Sequence, residues 1–530
     1  MTTDGKPIMQ TPKKKLTNDE TGILFFIAAL LFGGWFRIHP ALTVDFPIND
    51  GGLFLRMIET IKDNRFHLPT LIEFNGLEIP FAYPPFAFYL AAAIGTLFDI
   101  STLDLLIWIP ALTLILTLPV VYYLVVVLVE SQLVAGVATF IFAVIPRSLT
   151  WMIMGGGVTR SLGQLFLILA ASQIYLLYRR KEKKYLVGSI VFSAAVCITH
   201  PEASLHTIAF AFVFWVFHGR NATSIKHSFI VGLSVLLLTA PWWGTVLSRH
   251  GLGPIIAASR TGFHDPIVAF FVFLPVSEEP FITHIAVLGM IGLFFLVSKG
   301  RFLFPVLYIL PFFVEPRNAP NVVILSLAIM ATIGLINVVL PNLAEKGHAQ
   351  TLEGTHPFHL SSAVQKAFLA YFILGSLLGM ANHQSEFLQK QISTDTISAF
   401  EWVEKNTPED AEFLLITGSS NIFMDHINEW FPILAHRRSH TTIQGYEWLE
   451  DTNFEDQAGV ALGLQDCTKK RSPDDCIESI AQSNHFEFDY IQIQKQGPNT
   501  GNLVSALLLN PNYKLARESS ESLIFERLKK

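Results

Sequence analysis

The chain has 530 residues, 51% of them hydrophobic and only 15% charged, with 44 Phe and a formal net charge of −6. A soluble domain carries about 25% charged residues, so most of this chain belongs in a bilayer, and the lack of a basic field argues against a nucleic-acid partner. The apolar excess lies between about Thr21 and Ala381, which divides the chain into a cytoplasmic tail over 1–20, a membrane domain over 21–382 and a soluble domain over 383–530.

The start is polar and shows no cleavable-signal pattern. Lys13, Lys14 and Lys15 precede the first apolar run and place the N-terminus in the cytoplasm. Apolar runs follow near 22–38, 84–98, 103–129, 132–146, 161–178, 185–198, 203–217, 228–247, 285–297, 302–314, 321–340 and 367–381. A straight span needs about 20 apolar residues; the shorter runs read as buried helices or as spans with polar ends in a protein-lined cavity. The strongest cytoplasmic marker is Arg179-Arg180-Lys181-Glu182-Lys183-Lys184, with further candidates at 220–226 and 299–301. Alternation from it puts 147–160, 199–202, 248–284, 315–320 and everything after about Asn382 outside, and the N-terminal lysines independently put 39–82 outside. Three runs separate 39–82 from 147–160, where an even number of crossings is required. Either 84–98 is re-entrant, or 103–129 bends back at Pro110 or Pro119. The expectation is a polytopic α-helical membrane protein of about 11 to 13 transmembrane helices.

The stretch 341–363 is polar and reads as a cytoplasmic loop. Beyond it, a helix over 393–405 ends at Asn406-Thr407-Pro408-Glu409-Asp410. Strands are expected at 412–417, 488–494 and 523–528, and helices over 455–465 and 500–509. This is a C-terminal soluble α/β domain facing outward. Cys467 and Cys476 suit a disulfide in an oxidising compartment or two free thiols, whereas Cys197 lies in an apolar run.

The first external loop reads Val44-Asp45-Phe46-Pro47-Ile48-Asn49-Asp50-Gly51-Gly52-Leu53-Phe54-Leu55-Arg56. A carboxylate just past the first span can take a proton from an acceptor hydroxyl or hold a divalent cation, Mg or Mn, against a phosphate. Gly51 and Gly52 allow close backbone approach, and a helix over 51–63 aims its N-terminus at the same place. The plain alternative is that Asp50 is a solvated cap. The loop ends in Pro80-Phe81-Ala82-Tyr83-Pro84-Pro85-Phe86-Ala87-Phe88-Tyr89-Leu90, which also suits an interfacial helix start. Gly155-Gly156-Gly157-Val158-Thr159-Arg160 offers backbone donors and a guanidinium to a phosphate, or packs helices through small residues. Thr199-His200-Pro201-Glu202 sets an ionisable pair between two short runs. It is suited to acid–base work, to acceptor binding or to a metal shared with Asp50, or it is a polar turn. Pro241-Trp242-Trp243-Gly244, Arg249 and His250 open the next external stretch, and Glu315-Pro316-Arg317-Asn318 forms another. In the C-terminal domain Asp425, Glu429 and Trp430 suit sugar or acceptor contact, or packing onto the membrane part. Asn49, Tyr83, His250 and Trp430 are the candidates for sugar or acceptor contact.

An acid shortly after the first span, a long loop with a short helix, and then Tyr-Pro-Pro with aromatics resemble the membrane glycosyltransferases of the GT-C fold. These include protein O-mannosyltransferases, aminoarabinose transferases of lipid A and oligosaccharyltransferase catalytic subunits. The resemblance implies inverting transfer from a polyprenyl-phosphate-linked sugar to a glycan, lipid or protein acceptor. Asp50 would be the catalytic or metal-binding carboxylate, and Arg160, Arg249 and Arg317, with Gly156 and Gly157, would receive the donor phosphate. The loop 147–160 departs from the family's pattern in carrying no acid. A transporter or flippase of lipid-linked sugars is one rival, although mid-span charges are few and no clear internal repeat is seen. A non-catalytic sensor or assembly factor working through the C-terminal domain is the other. No Walker loop, Cys-x-x-Cys or His-Glu-x-x-His is present, which argues against a nucleotide-driven pump.

Overall fold

In hydrocarbon each backbone polar group must be satisfied within its own segment, and a helix does this. In the computed structural model, which describes residues 16–262, 264–272, 276–344, 360–450 and 453–528, each of the twelve apolar runs forms a helix over its described part. Lys13, Lys14 and Lys15, and most of the polar loop expected at 341–363, lie outside the described residues.

Helix α1 (Asn18–Thr43) begins at a capping box: the Thr17 hydroxyl accepts the Glu20 N–H, and the Glu20 carboxylate accepts the Thr17 N–H. The first long connection holds α2 (Gly52–Asp63) and a hairpin of β1 (Leu71–Phe74) and β2 (Leu77–Pro80). Asn75 and Gly76 turn this hairpin with positive φ, the conformation a two-residue turn of this hand requires. Then come α3 (Phe86–Phe98), α4 (Thr102–Val129), α5 (Gln132–Val144), α6 (Gly157–Arg180), α7 (Lys183–Cys197), α8 (Pro201–His218) and α9 (Ala222–His250). The bundle is completed by α10 (Gly253–Ser259), α11 (Pro266–Val272), α12 (His284–Ser298), α13 (Leu303–Val314), α14 (Ala319–Asn342) and α15 (Ala363–Leu388).

Six single helices (α1, α4, α6, α9, α14 and α15) are long and apolar enough to cross a membrane, and two bent pairs raise the number to eight among the described residues. The runs near 185–198, 203–217, 285–297 and 302–314 form shorter helices of 12 to 18 residues. Helix α4 continues through Pro110 and Pro119 without a break and brings Glu130 to Arg179 at the far end of α6. Helix α3, of 13 residues, is shorter than a straight span; its first N–H bonds to the Ile198 carbonyl and its Gly95 packs on Lys62 of α2 and on Ile100.

The C-terminal region contains α16 (Thr394–Asn406), β3 (Glu412–Ile416), α17 (His426–Leu434), β4 (Arg438–Ser439), α18 (Phe454–Asp466), α19 (Pro473–Ser483), β5 (Tyr490–Gln494), α20 (Thr500–Leu509), β6 (Tyr513–Glu518) and β7 (Ser522–Arg527). Its five strands run in the order β4-β3-β5-β7-β6, parallel across β4-β3-β5 and antiparallel across β5-β7-β6. Cys467 and Cys476 form a disulfide between the end of α18 and the start of α19. The hairpin of the first connection docks on this sheet: the Asn75 amide donates to Ser439 O and accepts the Ser439 N–H, at 2.9 and 2.7 Å, and so covers the short edge strand β4.

Candidate functional site

The segments expected outside converge at one end of the bundle. The turn from Asn49 to Gly51 lies against the turn before α6. Gly155 N donates to Ile48 O, and a Cβ at Gly155 would collide with Asp50 O, so only glycine lets the two backbones approach this closely. Gly51 itself has φ +133°, a conformation side chains disfavour.

This contact fixes Asp50. Its Oδ1 accepts the Gly156 N–H at 2.9 Å and its Oδ2 pairs with Arg160 Nη2 at 2.7 Å. Asp50 is 8% exposed, so it is not the solvated cap the sequence allowed. Arg160, in the first turn of α6, also donates to Trp151 O and lies over the Trp151 ring. The glycine-rich turn was expected to present free N–H groups to a phosphate. Instead the Gly156 N–H holds Asp50, and Gly157 packs on the Met152 carbonyl, where a Cβ would not fit.

Arg160 and His200 line one cleft with Gln164, Asn318 and Asn321. His200 caps α8, its Nδ1 accepting the Ala203 N–H, and its Cβ packs on Gly163 of α6. Burial lowers the His200 pKa to about 4, so the ring is neutral near pH 7 and offers Nε2–H as a donor. Arg317 pairs with Glu202 and donates to the Thr261 carbonyl. Burial, reinforced by the charge of Glu202, pushes Glu315 up to about 7, and its carboxylate sits 4.0 Å from His206 Nε2. The Tyr83 hydroxyl meets Thr159 Oγ1 at 3.2 Å and its ring stacks edge-on to Trp448 of the C-terminal region. Burial raises the Tyr83 phenol to about 12, and Glu202, Arg160 and Arg317 all act on it electrostatically. Asp50, Tyr83, Arg160, His200, Glu202 and Arg317 therefore belong to one polar cluster.

Four other expected residues have different surroundings. Arg249 donates through Nη1 to the carbonyls of Leu68 and Pro69 and so anchors the first connection. His250 ends α9 with a buried Nε2 that lacks a hydrogen-bond partner. Trp430 is fully buried against Phe46, and its indole N–H donates to Asn49 O at 2.8 Å, so it is a packing element and not a sugar platform. Asn49 is likewise buried, its amide facing Met424 O and the Asp50 N–H.

Sequence reading missed a second network beside the cleft. Arg147 donates to Asn321 Oδ1 at 2.7 Å and pairs with Glu278 at 2.5 Å, and Thr150 bridges Glu278 and His383. Arg147 opens the same external loop that Arg160 closes, which was the available signal. Metal ligation fits this donor set poorly. Among the described residues no three His, Cys, Asp or Glu side chains converge, and Glu429 beside Asp50 already accepts the Gly51 N–H.

No family profile matches the sequence, and no curated protein matches it. Solved structures do. Oligosaccharyltransferase AglB from Archaeoglobus fulgidus, in complex with an inhibitory peptide and a dolichol-phosphate, superposes with TM-score 0.57 at 14% identity over 89% of this chain and 69% of that one. The same enzyme has been crystallised with Zn and sulfate. ArnT from Cupriavidus metallidurans bound to undecaprenyl phosphate gives 0.53 at 11% identity, over 95% of this chain and 97% of that one. The arabinofuranosyltransferase AftD from Mycobacteria gives 0.52 at 12% identity, over 97% of this chain and 40% of that one. The chain thus has the fold of the GT-C membrane glycosyltransferases, a multi-pass helical membrane part with a C-terminal sheet region.

Proposed function

We propose that the protein is an inverting glycosyltransferase that moves a sugar from a polyprenyl-phosphate donor to a hydroxyl of a glycan, lipid or protein, on the extracytoplasmic face where we also place the C-terminal region. The observation that carries the reading is the buried Asp50 carboxylate, held by Gly156 N–H and Arg160 where three separate connections meet. In the reaction an Asp50 oxygen takes the acceptor's hydroxyl proton. The acceptor oxygen attacks the anomeric carbon opposite the phosphate, the carbon–oxygen bond to phosphate breaks, and its electron pair leaves on the lipid phosphate. A single displacement inverts the configuration. Arg317, the more exposed guanidinium of the cluster, meets the phosphate, with His200 Nε2–H as a neutral donor. Arg160 serves chiefly to orient Asp50. Fixed charges facing both developing charges lower the barrier without reorganisation. Glu202 holds Arg317 until the phosphate arrives.

The test is transfer of label from polyprenyl-phosphate sugars by purified wild type, Asp50→Asn and Asp50→Ala. Both variants should lose activity by at least about 100-fold while still expressing and folding. Full activity in Asp50→Asn refutes the assignment, and movement of the lipid-linked sugar across the bilayer without transfer favours a transporter.

A further inference from the structure

The C-terminal region sends one acid to the centre of the first connection. Glu429, in the first turn of α17, is buried, and its Oε1 accepts the Gly51 N–H at 2.8 Å, one residue past Asp50. The fit is tight, since a Cβ at Gly52 would come 2.8 Å from Glu429 O. On the other side of Asp50, the neighbouring Trp430 donates to Asn49 O. Adjacent residues of one helix therefore grip the backbone on both sides of the proposed base.

We propose that Glu429 is a positioning residue for Asp50, holding its turn through the Gly51 N–H, and that this support is lost when the Glu429 carboxyl ionises and repels Asp50. The inference rests on the reading of Asp50 as base. The charged groups facing Glu429 are Asp50 from the turn before α2, Arg160 from α6 and Glu447 from the turn at Tyr446–Trp448. Arg160 already compensates Asp50. A second carboxylate in the same dry space has no cation of its own and repels Asp50. Burial, and then the Asp50 charge, push the Glu429 carboxyl up to about 8. Ionisation above that value strengthens the Gly51 N–H bond itself, but burial and the facing Asp50 charge outweigh that gain, and the repulsion loosens Asp50 from Gly156.

The experiment compares wild type, Glu429→Gln and Glu429→Ala from pH 6 to about 10. It reads transfer kinetics with a polyprenyl-phosphate sugar, and amide-exchange protection factors over residues 44–56. Wild-type kcat is expected to fall as pH rises through about 8 at constant KM, with protection at 49–51 falling over the same range. Glu429→Gln, which cannot ionise, should lose both dependences. Glu429→Ala should lower kcat about tenfold across the range by removing the acceptor for Gly51 N–H. A wild-type alkaline fall that survives in Glu429→Gln, or protection that does not change with pH, overturns the positioning role while leaving Asp50 as base. Absence of any transfer by wild type overturns the base reading instead, and the exchange comparison still decides whether the Glu429 charge sets the turn.

Discussion

Asp50 Oδ2 lies 2.7 Å from Arg160 Nη2, and this pair ties the first long connection to the start of α6. Both side chains are largely shielded, so the pair is more than a surface contact. It gives Arg160 a structural role and, on the proposed mechanism, the role of orienting Asp50, and the two are separable. Arg160→Gln should lower stability by about 2 kcal/mol, because a shielded carboxylate loses a charge-assisted partner, and should reduce transfer by at least about tenfold. The double variant Asp50→Asn/Arg160→Gln should recover most of the stability, since no unpaired charge remains, and none of the activity. Thermal unfolding in detergent alongside the transfer assay separates these outcomes. A double variant as unstable as Arg160→Gln would show that the pair is not what Arg160 contributes.

The close approach of two backbones is the second requirement. Gly155→Ala would drive a methyl group into the Asp50 carbonyl. Because both partners are main chain, neither can rotate away, and a loss of about 1–3 kcal/mol is expected, with activity falling further than stability as Asp50 is displaced. Gly232→Ala is the control: nothing lies within 4 Å of a Cβ there, and the helix should gain about 0.5–1 kcal/mol. Comparable melting temperatures and activities for the two variants would contradict the packing described at Gly155.

The helices, and the place of the candidate acid, were legible in the sequence because both are local signals. Apolar runs mark helices whatever they pack on. Asp50 stood out by its place after the first span, and Arg160 by its place at the opening of a helix. Partners fixed by long-range packing were not legible. The Gly156 N–H looked free and is filled by a carboxylate 106 residues away. Arg249, read for its charge alone, also donates to the Leu68 and Pro69 carbonyls. Trp430 carries the composition of a sugar platform, but its burial against Phe46 is decided by how the C-terminal region docks. Glu278 and Arg147 meet across 131 residues, a separation no local pattern reports.

His200 bears on the pH dependence. Its folded-state pKa, lowered by burial to about 4, lies below the ordinary value of about 6.5. Between those values the unfolded chain binds more protons than the folded one, so the contribution is present above pH about 6.5 and is lost as pH falls toward 4. Acidification over this window should cost wild type up to about 3 kcal/mol relative to His200→Asn. The transfer rate should show no inflection near pH 6.5 that His200→Asn removes. Melting temperatures of the two proteins from pH 7.5 to 4 check the first point and pH–rate profiles the second. An inflection near 6.5 that disappears in His200→Asn would make this ring a titrating acid or base after all.

The Cys467–Cys476 bridge connects stability to location. Cys467 is fully buried in the core of the C-terminal region, and the bridge closes a short loop between α18 and α19. Chain-entropy reasoning gives about 2–3 kcal/mol for a loop of this size, so Cys467→Ser/Cys476→Ser should melt several degrees lower and reducing agent should have no further effect on it. The bridge is also a reporter of compartment, because such bonds persist in oxidising surroundings. If the C-terminal region faces outward as proposed, thiol-reactive polyethylene glycol applied to denatured, unreduced protein from its native membrane should leave both cysteines unmodified, with Cys197 as the internal positive control. Modification of all three would mean the pair stays reduced, and the orientation on which the catalytic face was assigned would have to be reversed.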